Sequence, residues 1–221
     1  MVQAQILSVL EATIHRKQTV EPPPVTFDEV LAGADATAAA LPLPSNNSTR
    51  LMAENRLVML LRDFVSDRSF DYGLARMTFA EAFGKMIQAT ARRTSVYNHS
   101  SCFLLCDFME EALVIYIRFH HTHMLESDFI DWTFWLEVCK KMLESQNTMS
   151  ELRVFAFIYS TWAAVTADER RREIICLDWL LEEEIFDKYF THWCPMIRAY
   201  YMRLLCWRVC RDDGEATELN T

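Results

Sequence analysis

The chain has 221 residues, 51% of them hydrophobic, and a formal net charge of −9. That length and apolar content support a substantial buried core, and the acidic balance excludes nucleic acid as a partner, since phosphate binding needs clustered positive charge. Only four glycines are present, and five of the six prolines fall between Pro22 and Pro44, so the remainder is nearly free of helix breakers and poor in phosphate-cradling loops.

Gln3 to Arg16 reads as a short amphipathic helix, with Ile6, Leu7, Leu10 and Ile14 at helical spacing. Met1 to Leu10 lacks the basic start and long apolar core of a signal peptide. Residues 17–47 hold prolines, alanines and small polar residues, the composition of a mostly irregular linker; Glu21 to Asn47 is expected to be poorly packed. Regular apolar spacing begins near Ser48 and predicts a helix to about Asp67. Thr78 with Glu81 forms a capping-box pair opening a helix to about Ala91. Ser100 or Ser101 is placed to cap a long helix through His123, and Ser127 to cap the next.

Thr148 and Glu151 form a second capping-box pair, and the stretch to Val165 is apolar nearly all round, which predicts a central helix enclosed on several sides. Phe157 and Trp162 are expected to be nearly fully buried in it. Asp168 caps a helix with a charged first turn, Glu182 to Phe190 reads as a separate short helix, and Pro195 sits at a favoured first helical position of the last one. The tail 212–221 is polar and expected to fray. Short connections make sequential helices antiparallel. The predicted fold is therefore all-α, a helical domain over 48–211 with antiparallel helices stacked as an armadillo-like array, or alternatively a closed bundle.

Candidate chemistry is sparse. His120, His121 and His123 form the densest imidazole cluster, but adjacent helical positions point about 100° apart, and no Glu-x-x-His pair accompanies them. Histidines at a helix C-terminus also answer its unpaired carbonyls. Cys102/Cys106 and Cys206/Cys210 are i, i+4 pairs among apolar neighbours, which suits reduced core thiols, and an odd total of seven cysteines suits a reducing compartment. The sequons at Asn46, Asn47 and Asn98 are then incidental. Arg170 to Arg172 is flanked by Asp168, Glu169 and Glu173, as a solvated helix face would be. No phosphate loop, dinucleotide fingerprint, nucleophile elbow or zinc-protease motif occurs. The expected metal and cofactor set is none.

The turn Asn147 to Glu151, the stretch His192-Trp193-Cys194-Pro195 and the run Leu204-Leu205-Cys206-Trp207-Arg208 carry a resemblance. The segment from about Asp131 to Arg211 resembles the conserved block of a mainly fungal family, the domain of unknown function 1765. The resemblance implies a helical domain of intracellular proteins and carries no activity with it.

The reading that fits best is a cytoplasmic, non-catalytic protein-interaction or scaffold module. Its rivals are an enzyme built from His120 to His123, His192 and carboxylates, and a peripheral membrane adaptor. Taking Arg198 as origin on a helical wheel, Arg203, Arg208 and Arg211 fall at about 140°, 280° and 220°. With Tyr200 and Trp207 at its edge, this side is the candidate surface for a protein partner. Ala199, Met202, Leu205, Cys206 and Val209 are expected to pack on the helix containing Trp162, and Arg198 is expected to pair with an upstream carboxylate.

Overall fold

The computed structural model describes residues 2–15, 52–66, 73–123 and 129–210. The linker 17–47, the cap at Ser127, Arg211 and the tail 212–221 lie outside the described residues. Every regular element among the described residues is helical, which gives the all-α class. The chain divides into two units, 1–157 and 158–221.

The first unit contains α1 (Val2–Ile14), α2 (Arg56–Ser66), α3 (Gly73–Arg93), α4 (His99–His123), α5 (Trp132–Glu144) and most of α6 (Thr148–Ser160). The division falls inside α6, after Phe157. Helix α1 packs on α2, α3 and α4, burying Leu10 and Ile14 completely. Its end is tied to the end of α3, where His15 Nε2 meets Thr94 Oγ1 at 3.0 Å and Arg93 pairs with Glu11. Helix α2 packs on α3 and α4 through Leu57, Val58, Leu61 and Val65. Tyr116 of α4 donates its buried hydroxyl to the Ala80 carbonyl of α3 at 2.8 Å.

Several helix starts differ from those the sequence suggests. Asparagine and aspartate are strong helix caps, and at four starts one of them takes the first-turn amides. Asn98 Oδ1 accepts from Ser101 N, so α4 begins at His99. Asp131 Oδ1 accepts from Phe134 N at 3.0 Å, so α5 begins at Trp132. Asn147 Oδ1 accepts from Met149 N and Ser150 N, displacing Thr148 from the cap of α6. Asn55 Oδ1 accepts from Leu57 N at the start of α2, Met52 and Ala53 just ahead are helical too, and the start expected at Ser48 lies outside the described residues. Thr78 lies inside α3 and donates to the Leu74 carbonyl instead of capping. Gln146, between α5 and α6, has φ 53°, a left-handed residue of the sort that ends helices.

The second unit contains α7 (Trp162–Val165), α8 (Glu169–Ile175) continuing into a π turn (Cys176–Leu180), α9 (Glu183–Phe190), and α10 (Pro195–Leu204) continuing into a second π turn (Leu205–Val209). Asp168 caps α8 through Arg171 N at 2.8 Å, as expected from the sequence. The central helix expected over Thr148 to Val165 breaks at Thr161, and Trp162 opens a separate four-residue helix where it is only half-buried. Phe157 is buried. The core of this unit is Ile175, Trp179, Leu180, Tyr189, Ile197, Tyr201 and Leu204. Tyr201 donates its hydroxyl to the Leu180 carbonyl. That carbonyl ends a helical stretch and lacks an intrahelical partner, so one hydrogen bond fastens α10 to the π turn of α8.

Candidate functional site

The surface of interest is the outward side of the last helix of the second unit and the turn that precedes it. Pro195 occupies the first helical position, where its missing N–H costs nothing. Arg198 then reaches back to the main chain and donates to the carbonyls of His192 and Trp193, the latter at 3.3 Å. The carboxylate partner expected for Arg198 is replaced by these carbonyls, which lie one turn away and are left open by the bend. His192 Nδ1 accepts from Cys194 N at 3.1 Å, so this imidazole shapes the same bend. Held in this way, Trp193 is 77% exposed.

Helix α10 presents its faces differently from the sequence expectation. Its buried side is Ile197, Tyr200, Tyr201, Leu204 and Leu205. Met202 and Cys206, expected to pack, are exposed, Ala199 and Val209 are half-buried, and only Leu205 of the expected set is buried. The two tyrosine rings decide the orientation: they offer more area to bury than Ala199 and Cys206. Tyr200, at 8% exposure, therefore belongs to the core and does not edge an outer strip.

Arg203 and Trp207 do face outward, with Trp207 at 61% exposure. Arg208 lies in the π turn, half-buried, its guanidinium 4.3 Å from the centre of the Tyr159 ring. Arg203 and Arg208 stand five residues apart, about 140° on a helical wheel, so the two do not share one line. Arg211 lies outside the described residues. The structure thus leaves Arg203 and Trp207 as the accessible members of the predicted set. Sequence reasoning did not pick out Trp193, or Ile174, Leu177 and Leu181 along α8 and its π turn, all of them exposed. Their signal is an apolar position recurring on the charged side of a helix.

The other candidate chemistry is dispersed. His120 and His121 meet edge-on with ring centres 6.1 Å apart. His192 stands in the other unit. Among the described residues no group of three or more His, Cys, Asp or Glu is placed to hold a metal. Arg171 uses its side chain on the carbonyls of Val165 and Ala164, at 2.5 and 3.2 Å, closing the end of α7, while Arg170 and Arg172 are exposed. Cys102 and Cys139 are buried, and burial pushes their thiols up to about 11 and about 12, so both are neutral near pH 7. Among the described residues no helix is long and apolar enough to cross a membrane.

These features define an all-helical protein module whose accessible aromatic and cationic side chains lie on its outer surface. Residues 83–209, more than half the chain, match the family described as "Protein of unknown function (DUF1765)", and the chain belongs to that family. The match begins at Phe83, so the family's shared region includes half of α3 and all of α4, ahead of the block over 131–211. A UPF0592 membrane protein of Schizosaccharomyces pombe is 38% identical over 126 residues, which is 57% of this chain and 13% of that protein. The chain thus matches only a small part of the length of this curated relative. No solved structure matches.

Proposed function

We propose that this chain is a cytoplasmic, non-catalytic protein-interaction or scaffold module. Its helices stack as antiparallel neighbours in the manner of armadillo repeats. The exposed faces of the second unit bind a protein partner. The observation that carries this reading is the exposure of Trp193, ahead of α10, and of Trp207, in the π turn that follows it. Exposed tryptophans of this kind are a residue type enriched among interface hot spots. Arg203 adds the charge that orients a partner.

Affinity purification of the tagged full chain from its native cell tests the proposal. The wild type is compared with Arg203→Glu/Trp207→Ser, and each recovered protein is re-tested with purified components. A partner that binds the wild type directly and the variant at least tenfold more weakly supports the reading; equal binding by both overturns it.

One observation favours a second reading: the fission yeast relative is named a membrane protein. On that reading the same tryptophans insert at a bilayer surface, and the module is a peripheral membrane adaptor. Flotation with lipid vesicles, lost on Trp193→Ser/Trp207→Ser, distinguishes it.

A further inference from the structure

In the first unit a cleft of about 190 Å³ opens between the end of α3, the turn that follows it, the start of α4 and one face of α5. Phe134, Val138, Lys141 and Met142 line it at i, i+4, i+7 and i+8, a single stripe of α5. Val96 and Leu105 complete the apolar lining. Cys102 pins the turn by contacts from its thiol to the Ser95 and Val96 carbonyls at 3.5 and 3.8 Å.

Two cations stand on this apolar ground. Arg92 places its guanidinium 4.7 Å from the centre of the Phe134 ring. A guanidinium held over a ring by its charge still has N–H groups to offer an oxyanion. Lys141 rises from the same stripe as Phe134 and is exposed. Neither Arg92 nor Lys141 has an acidic partner among the described residues. Among the described residues no Asp or Glu lines the cleft. In a chain of net charge −9, a cleft with two unneutralised cations and no acid selects for negative charge. The neutral Cys102 thiol adds none to oppose it.

We propose that this cleft binds a small anionic amphiphile, a phosphate or carboxylate head held by Arg92 and Lys141 on a short apolar body laid against Phe134, Val138 and Met142. The size suits a short chain: the cleft is below the roughly 300–1,000 Å³ of pockets for drug-sized ligands. The inference is independent of the partner-binding surface, which lies in the other unit.

Octyl phosphate, octanol and inorganic phosphate are titrated into the full chain, with binding read by calorimetry and by the methyl resonances of Val96, Leu105, Val138 and Met142. Octyl phosphate is expected to shift these methyls saturably. Octanol and inorganic phosphate are each expected to bind at least tenfold more weakly. Arg92→Gln/Lys141→Gln replaces two exposed side chains, so its melting curve should match the wild type while octyl phosphate affinity falls at least tenfold. Val138→Trp blocks the cleft without touching either cation and should also abolish the shifts.

Cosedimentation with phosphatidylserine vesicles, against phosphatidylcholine vesicles, identifies the source of the head. Binding lost in the double-glutamine variant assigns it to a bilayer lipid, and octyl phosphate binding without vesicle binding assigns it to a soluble amphiphile. Absent methyl shifts, equal binding of octanol, or full affinity in a folded double-glutamine variant would overturn the proposal.

Discussion

Arg153 holds Asp107 through two nitrogens on one oxygen, Nε at 3.0 Å and Nη2 at 2.7 Å from Oδ1. Its third nitrogen, Nη1, donates to Glu110 Oε1 at 2.9 Å, and the Phe103 ring lies 5.3 Å away. Burial opposes the guanidinium charge, and the anionic side outweighs it, so Arg153 stays above its ordinary range. Asp107 and Glu110 stand on one face of α4, and this network ties α4 to α6. Removing one side of a buried ion pair strands the other, at about 3–5 kcal/mol. Asp107→Ala should lose up to that much in urea unfolding, since Arg153 keeps its bond to Glu110. Asp107→Leu/Arg153→Met should recover most of the loss, because Glu110 is partly exposed and can hydrate. A double variant as unstable as the single one would show that the charges themselves are needed.

Phe155 is completely buried, whereas Trp162 is half-buried. Phe155→Ala should cost about 3–5 kcal/mol, the range for emptying an aromatic core site. Trp162→Ala should cost clearly less, despite removing the larger ring. Chemical denaturation of both variants checks the order; a greater loss at Trp162 would contradict the break at Thr161.

The helical class was legible because apolar spacing and the scarcity of Gly and Pro are local signals. Asp168 and Pro195 were legible for the same reason: a cap acts within one turn of itself. The competition between Asn147 and Thr148 was harder to read, since both residues are acceptable caps and only backbone geometry chooses. Arg153 reads as a polar interruption of an apolar helix until Asp107 and Glu110, more than forty residues upstream, are placed against it. The face of α10 was misassigned because a wheel with two apolar arcs does not say which is covered. Arg92 over Phe134 joins two helices, and no sequence spacing announces it.

Gly84 lies inside α3, and an added Cβ would meet Tyr116 Oη at 3.6 Å and the Phe129 carbonyl at 3.7 Å, ordinary contacts. Gly84→Ala should therefore stabilise by about 0.5–1 kcal/mol, the helix-propensity gain. Gln146→Gly should stabilise slightly too, since its positive φ suits glycine. Thermal melts of the two variants decide; a loss on Gly84→Ala would mean the α3–α4 approach is tighter than these distances.

Stability should fall on the alkaline side. Burial lifts Tyr201 from 10.0 to about 12, and lifts Cys102 and Cys139 from 9.0 to about 11 and about 12. These groups keep their protons in the fold while the unfolded chain releases them from about pH 8 upward. The unfolded state then binds fewer protons, so unfolding free energy declines as pH rises toward 12 and is unaffected by these groups below about pH 8. Urea midpoints from pH 8 to pH 11 should show the decline, with a shallower slope in Tyr201→Phe. That variant should also lose about 1 kcal/mol at pH 8 with its hydrogen bond to Leu180.

The central claim is that the outward side of residues 193–209 is a binding surface. Its most direct test is hydrogen–deuterium exchange on the full chain, alone and with a purified partner recovered by the wild type and lost by Arg203→Glu/Trp207→Ser. The account predicts protection concentrated in Trp193 to Val209, with α1 to α3 unchanged. Protection confined to the first unit, with 193–209 exchanging as in the free chain, would contradict it.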